Sequence, residues 1–360
     1  MAVYLGIFLT TLVNSFFSLV RAFPTREVAR LIFILIFLVV GLRYASVDYF
    51  SYLTIYEGVT SFSNLGVFIY PVSESTPVES GFAALILLEK LLYGNFFAFV
   101  LIFSMISIAI KYYTFSKLSP YLLLSILIYL SDEFFWKDLG QIRNAMAAGI
   151  LLLSVIFAYE RKPVKFFFLL FIATLFHSAA IIGFIIYYLR YVARPFLMAA
   201  ALIVATLIAA VGGIGLLLPD IASAFGFGDS TRLVKYVDSK YVDGIGAFGG
   251  TFMLHILLAS LMIYFYRPLI KKWTYNSVLI PMYVYGTVLM FSFIDYGIIA
   301  GRIREMIAVP ALVIVLPSFI LLFRRNQRLV PYAAIVSYCL LWIYIETQNR
   351  EPYQSILQFI

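Results

Sequence analysis

Four arginines stand where plain membrane anchoring or solvation does not call for them: Arg43, Arg143, Arg302 and Arg304. Each sits at the end of a long apolar run, with acids, amides or phenols close by. Arg43 is followed by Asp48, Tyr49 and Tyr52; Arg143 lies among Asp138, Gln141 and Asn144; Arg302 and Arg304 precede Glu305. A guanidinium is a planar fork that matches phosphate oxygens two at a time. Asp138 and Asn144 suit a helix start, which puts Arg143 at a helix N-terminus, against the helix dipole. That placement is unfavourable unless an anion shares the site, and helix N-termini bind phosphates. The same holds for Arg302 and Arg304 if a helix opens at residue 304. Three separate arginine-bearing helix ends suggest convergence on a diphosphate; the plain alternative is three unrelated ion pairs. The Arg43–Tyr52 stretch, with its acid and three tyrosines, suits a pocket for sugar and phosphate.

Other motifs are weaker. Gly244, Gly246 and Gly249 spell G-x-G-x-x-G, but a dinucleotide site needs that pattern after a strand in a βαβ unit. Here it precedes an apolar run and reads as a flexible loop. The two histidines, His177 and His255, are too few for a His-rich metal site. His255 reads as structural. His177 falls between two short apolar segments, and a helix broken at membrane depth usually lines a cavity. The one cysteine, Cys339, rules out an intrachain disulfide and says nothing more.

The elements that must position these residues are membrane spans. Apolar residues make up 63% of the 360 and charged ones 12%, against about half and a quarter in soluble domains. The apolar residues form long continuous runs, so the expected fold class is all-α and polytopic. The net charge of +8 sits in short links between runs, which excludes a nucleic-acid binder. Spans are expected near 2–20, 28–44, 95–113, 119–134, 142–159, 195–218, 251–267, 275–295, 304–323 and 329–346, and residues 165–176 and 178–190 form a pair of short helices meeting at His177–Ser178. Residues 1–20 lack a basic leader and a cleavage site, so they read as a span rather than a removed signal peptide.

Reading 165–190 as a pair makes the positive-inside rule work. The links 21–30, 111–119, 160–165, 190–194, 267–272 and 324–328 then hold 16 of the 26 Lys and Arg residues, with Glu27 and Glu160 their only acids. Both termini fall on the outer face, with about twelve crossings of one integral membrane domain, 1–360. Large outer connections are expected near 45–94 and 219–250. The first contains an interfacial or re-entrant helix at 80–93 with Glu89 and Lys90, and the second an amphipathic surface helix at 231–241.

Read in order, the motifs GLRYASVDYFSY, Glu79-Ser80-Gly81-Phe82, GQIRNAMAAGILLLS, LFHSAAIIG, GRIRE and EPYQSIL resemble the Wzy/EpsG-type bacterial O-antigen and exopolysaccharide polymerases over nearly the whole chain. Two positions depart from the pattern: Val47 replaces an expected glycine, and Asn144 an expected glutamine. The resemblance implies a C-type glycosyltransferase fold in the bacterial inner membrane with its active site facing the periplasm. It implies transfer of a growing glycan from its undecaprenyl diphosphate to a hydroxyl of a new lipid-linked repeat unit. No nucleotide, metal or other cofactor enters, and a chain-length regulator is an implied partner. On this reading Arg143, Arg302 and Arg304, with Arg43, hold the diphosphate. Asp48, Glu79 or His177 is the base, His177 leading because its ordinary pKa lies near neutrality. Tyr49, Tyr52 and Gln141 contact sugar.

Two other functions are compatible with the residues. An O-antigen ligase-like transferase would use the same donor with a different acceptor. A lipid-linked glycan flippase or transporter would carry charges at mid-span and show internal repeats; Glu89 and Lys90 are the residues that keep it open.

Overall fold

A computed structural model describes residues 2–20, 23–44, 46–62, 69–70, 78–214, 249–348 and 353–358. The expected surface helix at 231–241 and most of the glycine motif lie outside these. Among the described residues the chain is helical apart from two short antiparallel ribbons. Five helices are long and apolar enough to cross a membrane: Ala2–Val20 (α1), Phe96–Leu118 (α5), Ile142–Tyr159 (α7), the continuous run Gly297–Leu322, and Arg325–Gln348. A sixth is possible if Gly250–Tyr264 and Tyr266–Lys272, bent by 69°, act as one span. Shorter apolar helices accompany them. The protein is thus a polytopic helical membrane protein, and length and composition support five or six full-length spans where the sequence suggests about twelve.

Residues 1–181 and 313–360 form one compact unit. Its other early elements are Thr25–Gly41 (α2), Arg43–Tyr44 (β1), Tyr49–Gly58 (α3), Ile69–Tyr70 (β2), Val78–Glu79 (β3), Ser80–Leu92 (α4), Leu122–Asp132 (α6) and Pro163–Phe176 (α8). The long helix Leu329–Gln348 and the strand Gln354–Ser355 (β4) complete it. Helix α7 packs on α8 and α5, α2 packs on α5, and both α1 and the Leu329–Gln348 helix pack on α6. Lipid-facing and central helices differ as solvation requires. Helix α1 exposes Leu9, Val13 and Phe16, and the Leu329–Gln348 helix exposes Leu341 and Tyr344, whereas 78% of the span in α7 is buried.

Helix α6 has 11 residues, about 16 Å at 1.5 Å per residue, and does not cross roughly 30 Å of hydrocarbon alone. The expected span 119–134 is therefore half a crossing followed by a turn-rich segment, 133–141, that is buried except at Trp136 and Gln141. Irregular backbone survives at membrane depth only inside protein or beside water. Here side chains hold it: Lys137 Nζ lies 2.8 Å from Glu133 Oε1, and Trp136 Nε1 donates to Glu346 Oε1 over 2.7 Å.

The second unit, residues 182–312, is organised around Asn276–Ser292, which packs against Pro195–Ala210, Gly250–Tyr264 and the segment Gly297–Ala308. Pro195 opens its helix at the first turn, where its missing N–H is harmless. Gly212 and Gly213, with φ of 105° and 91°, end it in a conformation only glycine adopts readily.

Candidate active site

The break at His177 is real. Helix α8 ends at Phe176, His177 is extended, and the chain resumes as a 3-10 helix, Ser178–Tyr187. The freed backbone amide of Ser178 donates to Glu79 Oε1 over 2.9 Å. The other oxygen, Oε2, takes Arg143 Nη1 at 2.6 Å. One carboxylate from β3 thus ties the start of α7 to the break after α8.

The sequence explains how these elements come so close. Gly81, two residues after Glu79, lies against Leu175, two residues before His177. A Cβ on Gly81 would sit 2.7 Å from both Leu175 Cβ and Leu175 O. Only glycine lets α4 approach the end of α8 near enough for Glu79 to reach the Ser178 amide.

Electrostatics follow from these contacts. Burial pushes the Glu79 carboxyl up, but the Arg143 guanidinium, the Ser178 N–H and His177 together hold it below the usual carboxylate range. Arg143 retains 23% side-chain exposure beside a Glu79 side chain at 8%. Its guanidinium lies 5.9 Å from the Tyr52 ring centre and 5.7 Å from that of Phe82, and its Nε is buried without a hydrogen bond. Arg143 does occupy the first turn of a helix, and an anion does lie beside it. In the protein itself that anion is Glu79.

His177 Nδ1 accepts the Ala179 N–H at 3.2 Å. In the neutral ring this puts the proton on Nε2. Asp48 is exposed and adopts φ 61° just before α3. The left-handed residue is Asp48 itself, so Val47 needs no glycine-like freedom. Tyr52 lies one turn later on α3, 6% exposed, and Tyr49, 5% exposed, packs against Tyr44 and Phe96. Gln141 Oε1 accepts Asn144 Nδ2 over 2.9 Å.

Other residues singled out from sequence have structural partners. Arg43 is 2% exposed and donates to Val40 O at 2.8 Å, Asp138 O at 3.2 Å and Ser46 Oγ at 2.9 Å. Its backbone pairs with Ser355, so Gln354 and Ser355 of the EPYQSIL motif close a ribbon on β1. Asp138 does not cap α7, whose N-cap is Gln141. Its carboxylate instead meets Lys111 Nζ at 2.6 Å and Tyr129 Oη at 2.7 Å. Lys111 is therefore not a charge of the link 111–119. Helix α5 runs through Leu118, and Lys111 is buried at 3% within it. Two groups 2.6 Å apart cannot lie on opposite faces, so the charge count by side must drop Lys111.

In the second unit, the helix expected to open at residue 304 already begins at Gly297. Arg302 and Arg304 thus lie inside a helical run rather than at its N-terminus, and the dipole argument does not apply to them. A π turn occupies Arg304–Ala308, and Arg302 Nη1 contacts Glu305 Oε2 at 3.2 Å. His255 is buried against the Tyr283 hydroxyl at 2.9 Å. Glu89 and Lys90, in the first unit, are also engaged. Glu89 accepts from Tyr56 Oη and Asn95 N, while Lys90 donates to Val59 O at 2.8 Å. They fasten α3 to α4.

One curated relative, the amylovoran biosynthesis protein AmsC of Erwinia amylovora, is 23% identical over 211 residues, covering 58% of this chain and 56% of its own length. The match thus spans little more than half of that relative. No solved structure matches the chain. The model of the EpsG family matches residues 28–359, a stretch that contains Glu79, Arg143 and His177, and the chain belongs to the EpsG family.

Proposed function

We propose that the chain is a polysaccharide polymerase of the O-antigen or exopolysaccharide kind. It transfers a glycan from undecaprenyl diphosphate to a lipid-linked repeat unit at the periplasmic face of the bacterial inner membrane. Family membership supports the reaction class, and the clamp of Arg143, Glu79 and the Ser178 amide is the observation that carries the site.

In this reaction the sugar C1–O bond to the diphosphate breaks while a sugar hydroxyl attacks C1. Negative charge collects on the departing lipid diphosphate, and a fixed cation that need not reorganise lowers that barrier. Arg143 is held for this task by Glu79, with the Tyr52 and Phe82 rings within 6 Å of its guanidinium. Glu79 is a poor base, because both oxygens already accept hydrogen bonds and the carboxyl is held ionised. His177, whose Nδ1 accepts the Ala179 N–H at the helix break, stands beside Glu79 and is proposed to orient a phosphate or sugar oxygen. Asp48 remains as the exposed carboxylate to take the hydroxyl proton. Arg43 is a supporting residue of the proposed diphosphate site, with Gln141 and Tyr49 near the sugar; Arg302 and Arg304 stand in the second unit, where Arg302 pairs with Glu305.

The test is polymer synthesis by the purified full chain from undecaprenyl-diphosphate-linked repeat units alone, without a gradient. Polymer formed by the natural chain and lost in Arg143→Ala supports the reading. Transport without synthesis would overturn it. In cells, a deletion that still attaches single repeat units separates a polymerase from a ligase, which would attach none.

A further inference from the structure

A separate cavity of about 320 Å³ opens where α1 ends and the Leu329–Gln348 helix begins. It is lined by Leu19, Val20, Arg325, Asn326, Arg328 and Leu329. Its depth is set by the chain. Val20 ends one span, Leu322 ends another, and a third begins at Arg325. Three span ends together put the cavity at a membrane–water boundary, where phospholipid headgroups lie.

The lining is chemically one-sided. Two arginines and an asparagine line it, and no lining residue is acidic. Arg328 Nε is buried without a hydrogen-bond partner, so the protein leaves a guanidinium donor unused there. The first turn of a 20-residue helix adds partial positive charge. On the lipid side the rim is apolar: Val20, Leu329 and Val330 are 41%, 49% and 68% exposed. The walls are held in place one turn into the helix, where Tyr332 Oη meets Ser15 Oγ at 2.9 Å. Helices α1 and Leu329–Gln348 are thus joined beside the cavity.

We propose that this cavity binds the phosphate of an anionic phospholipid, with Arg325 and Arg328 on the phosphate oxygens and Val20, Leu329 and Val330 against the first acyl carbons. Basic pockets between spans recognise such headgroups through the same charges. A free phosphate offers the same oxygens without the acyl chains, so the rim is what selects the lipid.

The full chain in detergent is titrated with phosphatidylglycerol and, separately, with phosphatidylcholine, and bound lipid is counted by native mass spectrometry. Phosphatidylglycerol is expected to bind preferentially at one site. Arg325→Ala with Arg328→Ala should weaken that site about thirtyfold, or roughly 2 kcal/mol at 1.4 kcal/mol per tenfold. Arg325→Lys with Arg328→Lys, which keeps the charge, should retain most of it and guards against misfolding. Arg324→Ala, outside the lining, should bind as the natural chain does. Equal binding of the two lipids, or an unchanged affinity in the folded double alanine variant, overturns the proposal. Displacement of the lipid by millimolar inorganic phosphate would overturn the lipid assignment in favour of a free anion.

Discussion

Arg143 faces two anions, one built into the protein and one proposed as substrate. Glu79 takes one nitrogen of its guanidinium, the Tyr52 hydroxyl is a second partner, and the remaining donors are the ones proposed to meet phosphate oxygens. Arg143→Lys keeps the charge but loses the fork, so it should lower turnover by about a hundredfold, the scale of removing one fixed donor to a developing anion. Arg143→Ala strands a buried carboxylate and should also destabilise the protein by about 3 kcal/mol; thermal unfolding in detergent separates the two effects. The pH dependence has a definite sign. The Glu79 carboxyl is held below its ordinary range, so its ion pair contributes fully at and above the ordinary carboxylate pKa and is lost as pH falls through the depressed folded value. The natural chain should therefore exceed Glu79→Gln in melting temperature at neutral pH, and the gap should close only in strong acid. A gap that closes between pH 8 and 6 would contradict the clamp. The helix dipole was enough to flag Arg143 from sequence. It could not name the partner, because Glu79 is 64 residues away.

At the scale of elements, the approach of α4 to α8 decides the site. Gly81→Ala would drive a methyl group into the Leu175 backbone, at a cost of about 1–3 kcal/mol. The displaced α4 would carry Glu79 away from Ser178, so activity should fall in a variant that still folds. The buried segment 133–141 is the second determinant, because it leads directly into Arg143. Lys111, Tyr129 and Arg43 all hold Asp138. Breaking that pair leaves an uncompensated charge indoors, so Lys111→Met should destabilise by about 3–5 kcal/mol. Lys111→Met combined with Asp138→Leu should recover much of the stability. Melting temperatures of the two single variants and the double variant check this coupling.

The sequence made the break at His177 legible, since two apolar segments of this length cannot each cross. The role of Lys111 was hidden for the opposite reason. Helix α5 continues past it, and a lysine near the end of an apolar run looks like a link charge until its partner is known. The start at Gly297 was missed because residues 297–301 carry no cap or charge to mark a helix N-terminus. Long-range pairing, rather than local pattern, separates what could be read from what could not.

For the whole molecule, the side of the membrane on which each link lies is the property on which the proposed periplasmic chemistry depends. Without Lys111, five basic links keep all their Lys and Arg residues, and their positive charge favours one face for 160–165 and 324–328. The proposed acceptor at Asp48 belongs on the other. The chain itself supplies a clean background for testing this, because its one cysteine, Cys339, is fully buried in a helix that spans. A membrane-impermeant maleimide should therefore leave the natural chain unlabelled in intact cells. Arg161→Cys and Asn326→Cys, both at exposed positions, should stay unlabelled until the membrane is opened. Val47→Cys, exposed beside Asp48, should label in intact cells once the outer barrier is permeable. Labelling of Val47→Cys and Asn326→Cys from the same side would place Asp48 and the basic link together, and the periplasmic polymerase reading would fail with it.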